Sequence, residues 1–395
     1  MAVAPADYPA LFRQYAVRSA QVTLDRVRAH VGSFVGAPQE QVFQALDFAM
    51  QLDEAWPWVK DVLLTIAPQM VQAGYQDGWA PYLVRGIDLA LARGDIGTTA
   101  ELQVNLGWLL QMRGDFDGAD AWYAKSLTAF ERLGDDNGVG RALSHLSFIA
   151  CMRNAYDRAQ AQAEQALSRF DADDPERAAA LNALGRTAFY RGDLNAALTL
   201  FTDSLALHEI RGDTFAIASL LRDLGMVLSA LHRYQEAEDF LQRAQDLFSA
   251  ARCRKDAAST QVNLGNILVE TGQPSPAYAR YVEANRNYQE LQDELGLAVS
   301  IFNMGYAQLQ MDAFAASKPH FITALRYWRT LANDFMQAET LRYLGDIHAA
   351  QGRRGRALSA YRHALHIIEP HGSASPFAAQ RATLQQQLAH LQLDH

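Results

Sequence analysis

The chain has 395 residues, of which 49% are hydrophobic and 20% charged, so it is long enough to bury a large core or to form an array of repeats. Its net charge of −9 argues against direct nucleic-acid binding, which would need clustered Lys and Arg. The two cysteines, Cys151 and Cys253, lack CxxC spacing, so neither a disulfide framework nor a metal site is predicted. The first residues show no basic-then-apolar leader, and the longest uncharged apolar run, 62–75, is too short to cross a bilayer. We therefore expect a cytoplasmic protein without membrane contact.

The first part of the chain is predicted to be helical but lacks the regular spacing of residues 100–377. Residues 1–59 are assigned to an N-terminal helical region. Residues 60–99 are assigned to a degenerate leading repeat, because Ala67, Leu83 and Gly86 stand forty residues before the corresponding positions of the first clear repeat.

A short motif recurs at a nearly constant interval over most of the remaining sequence. The pentapeptide QVNLG occurs at 103–107 and again at 261–265, with variants between and after these two copies. The last, small residue of each copy is Gly107, Ser147, Gly185, Gly225, Gly265, Gly305 or Gly345. The spacing is 40 residues, except for 38 residues between Ser147 and Gly185, so we predict seven repeats over 100–377.

Three further positions keep the same register. Twelve residues after each small residue stand Ala119, Ala159, Ala197, Ala237, Ala277, Ser317 and Ala357. Sixteen residues after stand Tyr123, Ala163, Phe201, Leu241, Tyr281, Phe321 and Tyr361, and nineteen after stand Ser126, Ala166, Ser204, Ala244, Ala284, Ala324 and Ala364. Small residues would let two antiparallel helices approach closely, and the large residue would fill the space between successive pairs.

Turn signals separate the predicted helices. Four RGD tripeptides occur, at 93–95, 113–115, 191–193 and 211–213. We interpret them as turns and not as integrin-binding motifs, because Gly can end one helix with a positive φ and Asp can cap the next. The helix after the last repeat, 378–395, would place Gln385, Gln386 and Gln387 in water and predicts a solubilising cap.

This register resembles that of the tetratricopeptide repeat, in its 40-residue variety known from kinesin light chain, spindle-orientation adaptors and bacterial STAND regulators. The repeats are longer than the usual length of about 34 residues and lack the proline that normally closes the motif. The resemblance implies an all-α, right-handed superhelical solenoid of antiparallel helix pairs, with the N-terminal helices and the capping helix at its two ends. It also implies protein or peptide binding on the concave wall.

Polar residues recur where the first helix of each repeat would line that wall. The candidate binding residues are Asn105, Asn182, Arg186, Arg222, Asn263, Asn266, Asn303, Tyr306 and Arg342. An Asn side chain offers both a donor and an acceptor to an extended peptide backbone. The resemblance to kinesin light chain assigns that role to Asn105, Asn263 and Asn303. The alternative is that these residues only cap or bridge neighbouring helices.

The arginines in this set suggest the charge of the ligand. Arg186, Arg222 and Arg342 carry guanidinium groups whose fork geometry suits carboxylates, so we expect the bound segment to be acidic.

The leading hypothesis is a non-catalytic module that binds a protein or peptide segment, without a cofactor and in an oligomeric state that the sequence leaves open. No nucleotide-binding loop, HExxH or GxSxG motif occurs. A second hypothesis is a ligand-sensing regulatory protein. A third is a phosphatase acting on a response regulator, because the plan resembles peptide-controlled phosphatases of Gram-positive bacteria. That activity would require a catalytic Gln or acidic residue in 7–59, and the candidate glutamines are Gln14, Gln21, Gln39, Gln41 and Gln44.

Overall fold

The computed structural model describes residues 8–29, 38–72, 76–171, 174, 176–371 and 377–393, and within these ranges the chain forms helices and turns without a β-strand. The helices are α1 (Tyr8–Ala29), α2 (Pro38–Ala49), α3 (Trp56–Gln72), α4 (Gln76–Ala92), α5 (Ile96–Met112), α6 (Phe116–Leu133), α7 (Asp136–Met152), α8 (Tyr156–Leu167), α9 (Arg177–Arg191), α10 (Leu194–Arg211), α11 (Thr214–Ala230), α12 (Tyr234–Ala250), α13 (Arg254–Glu270), α14 (Pro274–Leu291), α15 (Glu294–Gln310), α16 (Phe314–Thr330), α17 (Asp334–Ala350), α18 (Arg354–Ile368) and α19 (Phe377–Leu393). Two short 3₁₀ turns, Asp53–Ala55 and Glu369–His371, precede α3 and follow α18. The predicted all-α architecture is confirmed.

Two compact units divide the chain. Unit 1 comprises Met1–Leu231 with Leu247–Cys253, and unit 2 comprises His232–Asp246 with Arg254–His395. Consecutive helices pack as antiparallel pairs in both: α5 with α6, α7 with α8 and α9 with α10 in unit 1, and α13 with α14, α15 with α16 and α17 with α18 in unit 2. No helix in the described ranges combines the length and apolarity needed to cross a membrane. The domain boundaries predicted at 59, 99 and 377 stay predictions.

The N-terminal helices share one hydrophobic core with the start of the repeat array. Leu24 of α1, Leu46 of α2 and Ile66 of α3 are buried in the same cluster as Trp79 of α4 and Leu106 of α5. Burial of apolar side chains at this scale is the main stabilising contribution that holds such helices together. Helices α1 to α4 therefore pack as part of unit 1.

Close approach of the two helices in each pair depends on the small residue of the repeat. A Cβ added to Gly265 would lie 2.5 Å from Cε1 of Tyr281, and one added to Gly345 would lie 2.3 Å from Cε1 of Tyr361. The Oγ atom of Ser317 donates a hydrogen bond of 2.7 Å to the carbonyl oxygen of Gly305, across the pair. The small residue and the residue twelve positions later thus face each other, as the register predicted.

The large residue sixteen positions later also links one pair to the next. The ring of Tyr123 stacks on that of His145 in the following repeat, with centroids 4.6 Å apart and planes 6° apart. Phe321 and Tyr343 stack in the same way at 5.3 Å. The predicted packing between successive pairs is therefore present, and the same ring additionally covers the Gly of its own pair.

The RGD tripeptides form helix-to-helix turns. Their glycines have φ values between 66° and 85°, in the left-handed region that glycine adopts without strain. Each following Asp caps the next helix; the side chain of Asp193, for example, accepts from the backbone N–H of Ala196 at 3.1 Å. Local turn chemistry accounts for all four copies, as predicted.

Helix α19 covers the end of unit 2. Its Leu384 is completely buried, whereas Gln385 and Gln386 are exposed as predicted. Gln387 differs from the prediction, because its Nε2 donates to Oδ1 of Asp346 at 3.0 Å. The SASP segment at 373–376, which precedes this helix in the sequence, lies outside the described residues.

A substitution of Gly265 tests the close approach. Gly265→Leu forces a side chain against Tyr281, and we expect it to lower the free energy of unfolding by ~1–3 kcal/mol through overpacking. The matched control is Gly355→Leu in the first turn of α18, where an added Cβ meets nothing within 4 Å. The control should be neutral or slightly stabilising, because Leu has the higher helix propensity. Urea unfolding followed by circular dichroism measures both; equal destabilisation at the two sites would contradict the assigned register.

The partly buried His145 predicts a dependence of stability on pH. Burial, with a smaller contribution from nearby Arg141, lowers the pKa of His145 to about 4. In the unfolded chain His145 has the ordinary pKa of about 6.5. As the pH falls from about 6.5 toward the lower pKa of the folded state, the unfolded state binds a proton that the folded state does not bind. Stability contributed by the neutral ring is therefore present above pH ~6.5 and lost below it. Between pH 7 and pH 5 the melting temperature should fall less in His145→Phe than in the wild type. Equal falls would contradict the assignment of this pH dependence to His145.

Candidate functional site

The polar candidates lie at equivalent repeat positions on the first helices of unit 1 and of unit 2. We define the first-helix face of each unit as the residues six, three and two before the small residue of each repeat, and one after it, on α5, α7, α9 and α11 in unit 1 and on α13, α15 and α17 in unit 2. One contact recurs along the first-helix face. It joins the residue that directly follows the small residue of one repeat to the residue two positions before the small residue of the next repeat. The pairs are Arg186–Asp223, Asn266–Asn303 and Tyr306–Tyr343.

In unit 2 the structure brings three predicted asparagines together. Oδ1 of Asn266 accepts from Nδ2 of Asn303 at 3.2 Å and from the hydroxyl of Tyr281 at 2.8 Å. Asn263 lies one turn from Asn266 on α13, is partly exposed, and its amide has no hydrogen-bonding partner among the described residues. We call Asn263, Asn266 and Asn303 the amide patch. The predicted alternative, that Asn bridges neighbouring helices, accounts for one bond of the patch.

Part of the hydrogen-bonding capacity of the amide patch is unused. An Asn amide provides two N–H donors and one oxygen acceptor. Within the described part of the chain, the Asn266–Asn303 bond occupies the oxygen of Asn266 and one donor of Asn303. The amide nitrogen of Asn266, the oxygen of Asn303 and the whole Asn263 amide can therefore bind a ligand.

An aromatic cluster adjoins the amide patch. The ring centroid of Tyr306 lies 5.4 Å from that of Tyr343, and Tyr343 also packs edge-to-face against Phe302 at 5.7 Å. Burial raises the pKa of Tyr306, so its hydroxyl keeps its proton at neutral pH and can donate a hydrogen bond. The face thus continues from amides to a half-buried tyrosine surface.

Arg342 is enclosed by carboxylates of the protein itself. Its Nε donates to both carboxylate oxygens of Glu339 at 3.1 Å, its Nη1 donates to Asp346 at 3.0 Å, and its guanidinium lies over the ring of Tyr343. Burial disfavours its charge, but the bonds to Glu339 and the negative charges of Glu339 and Asp346 together outweigh burial and raise the pKa of Arg342 above its ordinary value. Gln387 of α19 also donates to Asp346. The positive charge of Arg342 is therefore compensated inside unit 2.

In unit 1 the predicted Arg186 forms an ion pair with Asp223, which was not among the candidates, and no amide patch is present among the described residues. Nη2 of Arg186 donates to Oδ2 of Asp223 at 2.7 Å and to Oδ1 of Asn182 at 3.2 Å. The Asp223 side chain is only 9% exposed, so this carboxylate requires a charged partner. The guanidinium of Arg186 also lies over the ring of Phe148, 4.9 Å from its centroid.

Two predicted residues of unit 1 lie apart from this pair. Nδ2 of Asn105 donates to the backbone oxygen of Glu101 in its own helix at 2.9 Å. The guanidinium of Arg222 lies 5.3 Å from the ring centroid of Phe248. The structure therefore unites the candidates of unit 2 more closely than those of unit 1.

Sequence reasoning did not identify the acidic residues of this face. Glu101 pairs with Arg141 between α5 and α7, Asp223 with Arg186, and Glu339 with Arg342. The sequence does contain a signal for such ion pairs, because Glu101 and Arg141 have opposite charges and occupy the same position of successive repeats, forty residues apart. No cluster of three or more metal-ligating side chains occurs among the residues that the structure describes.

Comparison with known proteins agrees with the repeat geometry. A family model described as tetratricopeptide repeat matches residues 98–172 and 216–290, and a second with the same description matches 177–210. The regulatory protein AfsR of Streptomyces griseus is 23% identical over 288 residues, which are 72% of this chain and 24% of that protein. The chain thus spans about a quarter of the length of this relative.

Solved structures with the same architecture cover nearly the whole chain. A Rap protein complexed with competence and sporulation factor is 13% identical with a TM-score of 0.62, covering 93% of this chain and 99% of that one. The apo form of the quorum sensor NprR from B. thuringiensis is 12% identical with a TM-score of 0.57, covering 89% and 99%. The helix pairs, the register of their small residues and the matched repeats together identify tetratricopeptide repeats at residues 98–172, 177–210 and 216–290.

Proposed function

We propose that this protein is a non-catalytic binding module that holds an extended protein or peptide segment on its first-helix face, with the amide patch binding the main chain of the segment. The observation that carries the proposal is the unused hydrogen-bonding capacity of Asn263, Asn266 and Asn303. An extended main chain presents N–H and C=O groups that these amides can bind whatever the side chains of the segment are.

The spacing of the helices suits an extended ligand. Packed helices lie about 8–10 Å apart, and an extended chain advances about 3.3 Å per residue. Asn263 and Asn303 occupy equivalent positions on successive first helices. They would therefore bind main-chain groups about three residues apart, and the adjoining Tyr306 surface would receive a side chain of the segment.

A segment bound on the first helices of unit 1 is a separate part of the proposal, and we expect that segment to carry an acidic residue. Arg186 and Arg222 place two guanidinium groups on the first-helix face of unit 1. Because Asp223 already pairs with Arg186, a carboxylate of the segment would exchange with Asp223 or bind at Arg222. The exchange would leave the buried Asp223 carboxylate without its charged partner, so binding at Arg222 is favoured.

A regulatory sensor is the second candidate function. The observation that favours it is the similarity to AfsR, a regulatory protein of which the chain spans 24%. Binding of a segment on the first-helix face would then be the sensing event, so both candidates share the amide patch. The phosphatase alternative stays a prediction, because the likeness to the Rap structure shows the fold alone.

Loss of the amides tests main-chain binding. Peptides selected from a random-sequence display library on the purified protein provide the probe. Against one such peptide we expect Asn263→Ala with Asn303→Ala to weaken binding about tenfold or more, because each lost bond is worth ~0.5–1.5 kcal/mol. Isothermal titration calorimetry measures the affinity, and circular dichroism shows that the variant is folded.

Two controls sharpen this experiment. Asn287→Ala on α14, outside the first-helix face, should leave the affinity unchanged. N-methylation of peptide amides should abolish binding at two positions about three residues apart and have little effect at their neighbours. A folded double variant with wild-type affinity would remove the amide patch from the proposal.

Charge variants test the acidity of the segment. We expect Arg222→Glu to weaken the binding of an acidic peptide. The effect should be smaller at high salt, because screening reduces the contribution of the charge. Asp223→Asn should strengthen the binding of the same peptide, because the substitution removes the carboxylate that competes for Arg186. A matched peptide with Asn and Gln in place of Asp and Glu is the control in the same calorimetric titration. Equal responses of the two peptides would exclude an acidic contact.

A further inference from the structure

A groove between α1 and α2 in unit 1 has an exposed apolar lining. Its volume is about 750 Å³. Its large apolar side chains are exposed to an unusual degree: Leu11 46%, Phe12 47%, Tyr15 76%, Val22 39% and Phe48 48%. The opposite side of α1, with Ala20, Leu24 and Val27, is buried in the core of unit 1. Helix α1 therefore has two apolar faces, of which one is buried in the core of unit 1 and the other stays partly exposed in the groove.

The charge of this groove is opposite to that of the chain. Arg18 and Arg26 line it, and no carboxylate occurs among its described lining residues. An adjoining cavity of about 570 Å³ along α1 adds Arg13, with Glu54 as its acidic residue. The chain as a whole carries a net charge of −9, so a cationic groove is a local departure from its composition.

We propose that this groove binds an acidic amphipathic helix of a partner protein. The apolar stripe of that helix would cover Phe12, Tyr15 and Phe48, and its carboxylates would meet Arg18 and Arg26. The surface is distinct from the first-helix face, so the proposal is independent of the function proposed above.

The dimensions of the groove support a helical occupant. From Leu11 to Arg26 the groove follows about four turns of α1, or roughly 22 Å at 1.5 Å per residue. A helix of about 15 residues has this length and presents apolar residues at three- and four-residue spacing along one side. Arg18 and Arg26 lie two turns apart on α1, so the partner should carry acidic residues seven or eight positions apart.

Charge also decides between a partner protein and a second copy of this chain. A symmetric dimer through this groove would bring the arginines of the two copies together, and like charges in a contact are unfavourable. An acidic partner helix places a carboxylate at each of these positions instead. The cationic lining therefore favours a different protein.

Designed peptides provide the experimental probe. The first is a fluorescein-labelled helical peptide of about 15 residues with a Leu stripe flanked by Glu; the second has Lys in place of every Glu; the third is a scrambled version of the first. Fluorescence polarisation with the full chain should show binding of the Glu peptide only. Arg18→Glu should weaken the Glu peptide about tenfold and create binding of the Lys peptide.

Matched variants separate the groove from general surface effects. Phe12→Asp in the groove should lower the affinity for the Glu peptide about tenfold or more. Ile210→Asp, at an exposed apolar residue outside the groove, should change this affinity less than about twofold. Arg132→Glu on α6 repeats the charge reversal outside the groove and should likewise have no effect. Circular dichroism confirms folding of all four variants.

Four outcomes would overturn the proposal. The first is that the Glu and Lys peptides bind the wild type equally, and the second is that the scrambled peptide binds as well as the Glu peptide. The third is a dimer in solution that Phe12→Asp dissociates. The fourth is binding of the protein to phosphatidylserine vesicles that Phe12→Asp abolishes, while the Glu peptide does not bind. The third would assign the groove to a second copy of the chain, and the fourth to a lipid surface.

Discussion

The contact between a glycine and an aromatic ring, present inside five of the seven predicted helix pairs, is the constraint on which the rest of the structure depends. Where Gly265 lies under Tyr281, and Gly345 under Tyr361, a side chain on the glycine would clash with the ring. The same type of ring stacks on the next repeat, as Tyr123 does on His145. One interaction therefore sets both the spacing within a pair and the register of the following pair, because protein interiors tolerate little change in volume.

That register aligns the polar positions of successive first helices, and the two units use them differently. In unit 1 the aligned residues include the ion pair of Arg186 and Asp223, which compensates its own charge. In unit 2 they are amides, of which Asn266 and Asn303 bond to each other and Asn263 has no partner among the described residues. A neutral amide surface can bind a main chain without a cost for displacing an internal charge.

The N-terminal helices add a surface with different physical chemistry. Helix α1 contributes Leu24 and Val27 to the core of unit 1 and exposes a second apolar side bordered by Arg18. A first-helix face built from amides suits an extended chain, whereas an apolar groove bordered by arginines suits an acidic helix. The two proposed surfaces would thus recognise partners in different conformations.

The sequence by itself determined the helix pairs, the turns and the packing positions. These features depend on single residues whose size or φ preference is local, such as the missing side chain of Gly265 or the capping carboxylate of Asp193. Only the tertiary structure decided which polar residues are available to a ligand. Arg342 looks like a binding residue in sequence, yet it pairs with Glu339 and Asp346 beneath α19, because pairing depends on which side chains of neighbouring elements reach each other. The exposed side of α1 was likewise hidden, since helical periodicity shows that a face is apolar but not which of two apolar faces the core covers.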